Sequence, residues 1–209
     1  MKLQLALDDI SLSDAIILME KIRNYVDIVE IGTPFIIEDG LKPVREFKRL
    51  FPDKEVLADT KIMDAGDYEA RSAFLAGADY VTVLGVTDLL TVKSCVATAK
   101  EFGKTVVIDM ICVDNMVERI QQLEALGVNA LAVHTGVDQQ AAGRTPIEDL
   151  KLMKAVSKSS LIFAAGGINL QTLPDYKALK ADVAIVGSGI RHAKDPVKAA
   201  KELFELSRT

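Results

Sequence analysis

The segment "LADTKIMDAGDYEA", residues 57–70, places Asp59, Lys61 and Asp64 within six positions, directly after an apolar run. Two carboxylates flanking an ammonium can keep the lysine charged and set positive charge against an oxyanion. Similar groups stand at the ends of other apolar runs: Asp8 closes "LALD", Glu30 lies in "DIVEIG", Asp109 ends "VVID" and His134 ends "ALAVH". A histidine so placed is a candidate for moving a proton near neutral pH. Two glycine-rich turns complete the inventory, "AAGGIN" at 164–169 and "VGSGIR" at 186–191. Their backbone N–H groups, at Gly166, Gly167, Gly187 and Ser188, can approach an anion closely, with Arg191 adding electrostatic help.

Each of these residues also has a plain structural reading. Asp64, with Asp67 three residues on, has the arrangement of a helix N-cap. Asp8 and Asp9 fit a turn before Ser11, Lys61 a solvated surface lysine, His134 a satisfied core histidine, and the diglycine an ordinary tight turn. Asp109 and Gln4 fit interior polar bonds as well as support of a site. Convergence favours chemistry: ionisable groups gathered at one end of successive strands are costly unless a metal or substrate organises them.

The elements that must position these groups are legible as an alternation. Eight short β-type runs, "KLQLALD", "VDIVEIG", "KEVLADT", "DYVTVLG", "KTVVIDM", "NALAVHT", "SLIFAAGG" and "DVAIVGSG", are separated by amphipathic helical segments. "DNMVERIQQLEALG", for example, opens on an aspartate cap and closes on a glycine. Strict alternation implies parallel strands with right-handed crossovers. A repeat beginning at Asp27, Asp79, Asn129 and Asp182, spaced by 52, 50 and 53 residues, makes four pairs of βα units. The expected fold is α/β, a single-domain (β/α)8 TIM barrel over residues 1–209, with an open doubly wound sheet as the alternative. In such a barrel the active site lies at the C-terminal ends of the strands. Alternation of strand side chains puts Asp59 and Lys61 on one face, with Thr60 on the other.

Bulk properties narrow the partners. The chain has 209 residues, 49% hydrophobic, and a net charge of −5 with no block of consecutive Lys or Arg, which argues against nucleic acid and anionic membrane surfaces. No apolar run approaches the roughly 20 residues of a membrane span. The two cysteines, Cys95 and Cys112, lack the spacing of a zinc or redox motif and fit a reducing, cytoplasmic setting. A small-molecule partner is the expectation.

Together "LALD", "DIVEIGTP", "LADTKIMDAGDYEA", "GADYVTVLG", "VHTGVDQQAAG", "AAGGI" and "IVGSGI" resemble the 3-hexulose-6-phosphate synthases of the orotidine 5′-monophosphate decarboxylase suprafamily, over nearly the whole chain. The Asp-x-Lys-x-x-Asp pattern at Asp59, Lys61 and Asp64 marks the suprafamily. The resemblance implies a homodimeric barrel that uses Mg2+ bound by Glu30 and Asp59, with Asp64 reaching the partner's site. It also implies a lyase reaction of aldolase type: addition of formaldehyde to a phosphorylated ketopentose, D-ribulose 5-phosphate, and its reverse. Asp8, Lys61, Asp64 and His134 would then be catalytic, with Asp109, Asp138 and Arg191 in support.

Three rivals stand beside this reading. 3-Keto-L-gulonate-6-phosphate decarboxylase resembles the chain in the same motifs, but typically carries arginines after the histidine, where this chain has Thr135 and Val137. A ribulose-phosphate epimerase would need a histidine-rich metal site that His134 and His192 alone do not furnish. A non-catalytic phosphosugar sensor would have no use for intact Asp59, Lys61, Asp64 and His134.

Overall fold

The computed structural model describes residues 1–143 and 145–209. Strands and helices alternate from the N-terminus: β1 Lys2–Leu7, α1 Leu12–Ile22, a 3-10 turn at Arg23–Tyr25, β2 Ile28–Ile31, α2 Thr33–Asp39, α3 Lys42–Leu50, β3 Glu55–Ile62 and α4 Gly66–Leu75. The order continues with β4 Tyr80–Leu84, α5 Leu89–Phe102, β5 Thr105–Asp109, α6 Met116–Ala125, β6 Ala130–His134, α7 Val137–Ala141 and α8 Ile147–Val156. It ends with β7 Leu161–Ala165, α9 Leu173–Ala178, β8 Val183–Val186, α10 Ser188–Arg191 and α11 Pro196–Arg208. The eight strands pair in chain order, all in parallel, and β8 returns to β1, so the sheet closes. Closure decides for the barrel over the open sheet.

The period of two along each strand divides the apolar residues into two cores. Ile28, Leu57, Val107, Ala130, Ala132, Phe163 and Val183 fill the barrel interior with Tyr80 and Ile185. The alternate positions, among them Leu3, Leu5, Val29, Val56, Val81, Ile108, Leu131 and Ile162, pack outward against the helices. Each such aliphatic side chain contributes about 1.5–3 kcal/mol by leaving water. The helical layer therefore fixes the strands, and the strand ends inherit that rigidity.

The repeat has a mechanical origin. Asp27, Asp79 and Asp182 each stand one residue before an even strand, and each uses a carboxylate oxygen to accept the N–H of the preceding odd strand at Leu3, Val56 and Ile162, at 2.8–2.9 Å. The backbone N–H of the same aspartate donates to the carbonyl of that same residue. Each aspartate thus clamps two strands in register at the N-terminal end of the barrel, far from the candidate chemistry.

Two expected caps fall elsewhere. The cap of α6 is Asn115, whose side chain accepts from the Glu118 N–H, and not Asp114. The residue that caps α4 is Ala65, in the left-handed region at φ 50°, so Asp64 lies one position outside the helix and is not its N-cap.

Candidate active site

At the C-terminal mouth β3 is irregular. Ala58 pairs with Val81 but Ile62 pairs with Val83, so four residues of β3 span two of β4, and Lys61 takes a left-handed φ of 46°. Plain alternation therefore fails at Lys61, but the bulge re-aims its side chain into the mouth. Thr82 stabilises the distortion: its hydroxyl accepts the Lys61 N–H at 2.9 Å and donates to Asp59 Oδ1 at 2.7 Å.

Lys61 Nζ sits 2.7 Å from Asp59 Oδ2 and 3.3 Å from Asp109 Oδ2. Burial works against its charge, but the carboxylates of Asp59 and Asp109 outweigh burial and raise its pKa, so it remains an ammonium throughout the working range. Asp109 is buried on β5. Its Oδ2 lies 2.9 Å from His134 Nδ1 and its Oδ1 accepts the Ile111 N–H at 3.0 Å. Burial pushes the Asp109 carboxyl up, but the His134 contact and Lys61 prevail and leave it below the ordinary value. An ionised Asp109 accepts from Nδ1–H, which fixes the tautomer and leaves Nε2 of neutral His134 with its lone pair free.

Glu30, on β2, is almost wholly buried and accepts from Gln4 Nε2 at 2.5 Å. Burial, then the Asp59 charge, push its carboxyl well above the usual range, against the opposing Gln4 bond. Asp59 is buried as well, and also accepts from Thr33 Oγ1 at 2.8 Å. Two buried carboxylates that repel one another suit a hard divalent cation, and Mg2+ commonly takes one or two carboxylates beside water and substrate oxygens. Among the described residues no group of three or more His, Cys, Asp or Glu side chains is placed to form an all-protein cage. Glu30 and Asp59 could together hold such an ion.

The glycine turns meet at the same mouth. Gly166 and Gly167 adopt φ 117° and 67°, and the carbonyls of the two accept from Tyr176 Oη at 2.9 Å and Thr172 Oγ1 at 3.1 Å, respectively. Among the described residues no hydrogen bond uses the N–H of Gly167 or Ser188. A Cβ on Gly189 would lie 2.5 Å from the Ile168 carbonyl, so the two turns touch. Gly187 is next to Asp8: its missing Cβ would stand 3.6 Å from Asp8 Oδ2. These features form a corner of backbone donors within reach of the charged cluster.

Not every predicted residue joins the cluster. Arg191 ion-pairs through its terminal nitrogens with Asp8, 3.3 Å away, and with Asp9, while its buried Nε has no hydrogen-bond partner among the described residues. Asp8 lies just past the end of β1, half-buried. Burial raises its pKa, and Arg191 opposes the shift. Asp64 is exposed, and its carboxylate accepts only the adjacent Ala65 N–H among the described contacts. Asp138 is exposed on α7, and among the described residues no side-chain contact ties it to the cluster.

Thr33 and Thr82 were not among the predicted site residues. Thr82 had a signal: counted from the repeat starts, it holds the same offset in "DYVTVLG" that Glu30 holds in "DIVEIG". Thr33, in "GTP" after β2, had none.

Comparison with known proteins agrees with this geometry. The sequence profile of the orotidine 5′-phosphate decarboxylase / HUMPS family matches residues 1–203. The chain belongs to that family. It is 46% identical over 206 residues to a 3-hexulose-6-phosphate synthase of Bacillus subtilis (strain 168), covering 99% of this chain and 98% of the relative. The crystal structure of a 3-hexulose-6-phosphate synthase from Salmonella typhimurium superposes with a TM-score of 0.97 at 54% identity, covering 99% and 98% of the two chains. A 3-keto-L-gulonate-6-phosphate decarboxylase from Vibrio cholerae superposes at 0.85 with 26% identity, covering 99% of this chain and 97% of that one. Membership in the orotidine 5′-phosphate decarboxylase / HUMPS family, and the resemblance to its hexulose-phosphate synthases, are thus borne out. No helix among the described residues is long and apolar enough to cross a membrane.

Proposed function

We propose that this chain is a 3-hexulose-6-phosphate synthase, a lyase that adds formaldehyde to D-ribulose 5-phosphate to give D-arabino-hex-3-ulose 6-phosphate, and runs the reverse. The observation that carries the reading is the Asp59–Lys61–Asp109–His134 network at one barrel mouth, in a chain 46% identical over its whole length to a named synthase.

The donors of the glycine corner grip the phosphate and orient the ketose. His134 Nε2 takes the proton from C1, and Asp109 steadies the imidazolium that forms. The electron pair left at C1 delocalises as a 1,2-enediolate, to whose oxygens Lys61 offers its N–H groups. Glu30 and Asp59 would hold Mg2+, which would add positive charge to stabilise the developing oxyanion. C1 then attacks the formaldehyde carbon; the new C–C bond forms as the C=O π bond breaks, and a proton returns to the new alkoxide. Asp8 orients substrate hydroxyls. Asp64, exposed beside the exposed Met63 and close in sequence to the exposed Tyr68, serves the site of the second subunit in a homodimer.

The decarboxylase reading is less well supported: Thr135, which follows His134, is buried, and in sequence the chain is 46% and 54% identical to the two synthases against 26% to the Vibrio cholerae decarboxylase. The test is to offer the purified protein ribulose 5-phosphate with formaldehyde, and separately 3-keto-L-gulonate 6-phosphate, with and without Mg2+. A higher kcat/KM for the formaldehyde reaction is expected. Preference for the keto-acid would reassign the substrate, and turnover of neither would leave a phosphosugar sensor.

A further inference from the structure

At the opposite end of the barrel, the N-terminal mouth opens into a cavity of about 490 Å3, inside the range of small-ligand sites. Its lining includes Tyr80, partly exposed and packed edge to face on the buried Phe163 with ring centroids 6.0 Å apart, and the exposed Leu161. Its rim carries Lys2, Lys177, Lys180 and Arg208 against a single acid, Asp182. Three of these five charges are neutralised locally: Lys2 by Glu55, Arg208 by Asp27, and Asp182 by Lys154. Lys177 spends its ammonium on the Leu206 carbonyl and the Thr209 hydroxyl, which bring no countercharge. Lys180 is exposed and takes part in no ion pair or side-chain hydrogen bond among the described residues. Two cations therefore line the cavity with no ion-pair partner among the described residues, on a chain whose net charge is −5.

The backbone adds an independent observation. Lys180 has φ 59°, in the left-handed region that disfavours side chains. It stands two residues before the repeat aspartate Asp182. The positions two residues before Asp79 and Asn129 are Gly77 and Gly127, also with positive φ. Glycine is thus the residue this position takes in two of the other three copies, the first having Tyr25 in a 3-10 turn, and at the fourth it is a lysine that lines the cavity. Strain of this kind, held where a cheaper residue fits, marks positions retained for another purpose.

The geometry points to a second ligand site at the N-terminal mouth, for a small organic anion whose flat apolar part lies against Tyr80 and Leu161 and whose charged end meets Lys177 and Lys180. The site is separate from the proposed reaction. Phenyl phosphate is the probe, titrated into the intact protein and followed by calorimetry and by the ring NMR signals of Tyr80 and Phe163, which a ligand at the opposite mouth would not perturb. Saturable binding that shifts those signals is expected. Lys180→Gly should weaken it by about tenfold or more, through loss of one charge-assisted contact. That variant should melt no lower than the native protein, because glycine suits φ 59°; Lys180→Asn, which also tolerates this conformation, should weaken binding equally. Unmoved Tyr80 and Phe163 signals, or equal affinity in native protein and both variants, would overturn the proposal.

Discussion

At the scale of single residues, the site depends on side chains that hold other side chains. On the proposed mechanism His134 keeps one nitrogen free as the base because Asp109 occupies the other, and Asp109 is itself fixed by Lys61 and the Ile111 N–H. Replacing His134 by Asn should lower turnover by about 10²- to 10⁴-fold. Mg2+ affinity should be unchanged, and exchange of the substrate C1 proton with solvent, read by NMR, should disappear; full exchange would remove His134 from the role. Thr82 links the strained Lys61 backbone to Asp59. Thr82→Val keeps the shape but leaves an interior carboxylate oxygen and a backbone N–H without that partner, and should lower kcat/KM by about tenfold or more, with an unchanged circular dichroism spectrum. The two thiols should part company as well. Cys112 is exposed, whereas burial pushes the Cys95 thiol up to about 12. One equivalent of a thiol reagent should react in the native protein and two after unfolding.

At the scale of elements, connections fix where the strand ends stand. Gly32, between β2 and α2, has no room for a side chain: a Cβ would fall 2.1 Å from Asp8 Oδ1 and 2.7 Å from the Leu7 carbonyl. Gly32→Ala should therefore destabilise the protein by about 1–3 kcal/mol in denaturant titrations and displace Asp8. At the other end, the turn between α8 and β7 closes around the Glu124 carboxylate, which accepts from the hydroxyls of Ser157 and Ser160 and from the N–H groups of Lys158, Ser159 and Ser160. Burial opposes these bonds, but they lower its pKa to about 2. A depressed carboxyl pKa stabilises the fold above its unfolded value, near 4.5, and the contribution fades as pH falls through about 2. Glu124→Gln should be less stable than the native protein at pH 7, and the gap in melting temperature should narrow steadily below pH 4.5. A constant gap would mean that shape, not charge, closes the turn.

For the whole molecule, the issue is whether one chain makes a complete site. Asp64 stands outside the network that joins Asp59, Lys61, Asp109 and His134. Met63 and Tyr68 of the same segment are exposed, as are Val86 and Leu90 after β4 and Val117 at the start of α6. Thr87 Oγ1 is bonded to the Met63 carbonyl at 2.5 Å and Arg119 to the Gly85 and Thr87 carbonyls, so this surface is held firm before any partner arrives. On the proposed homodimer, Asp64→Asn and His134→Asn should each be inactive alone. Mixed after dissociation and reassociation, they should recover about one quarter of native activity, because half the dimers are hybrids and each hybrid has one intact site. No recovery, in a mixture shown to exchange subunits, would place Asp64 in its own chain's site or in none.

The sequence by itself determined the eight alternating units and the polar ends of their strands, because period-two and helical patterning are local properties written into neighbouring residues. It also determined the family, through motifs long enough to be specific. Tertiary structure alone decided that the sheet closes, since closure is a pairing between β1 and β8, at the two ends of the chain. It decided that Lys61 reaches Asp59 and Asp109 through a bulge, because a bulge exists only against a neighbouring strand. It likewise decided that Arg191 faces Asp8 and Asp9 across 183 and 182 positions of sequence, where no periodicity could foretell the partner. The spacing of Asp27, Asp79 and Asp182 was visible from the start. That those residues are clamps between strands, while Asp8, Asp59 and Asp109 serve the mouth, followed from which end of the barrel each occupies, a distinction made in space and not along the chain.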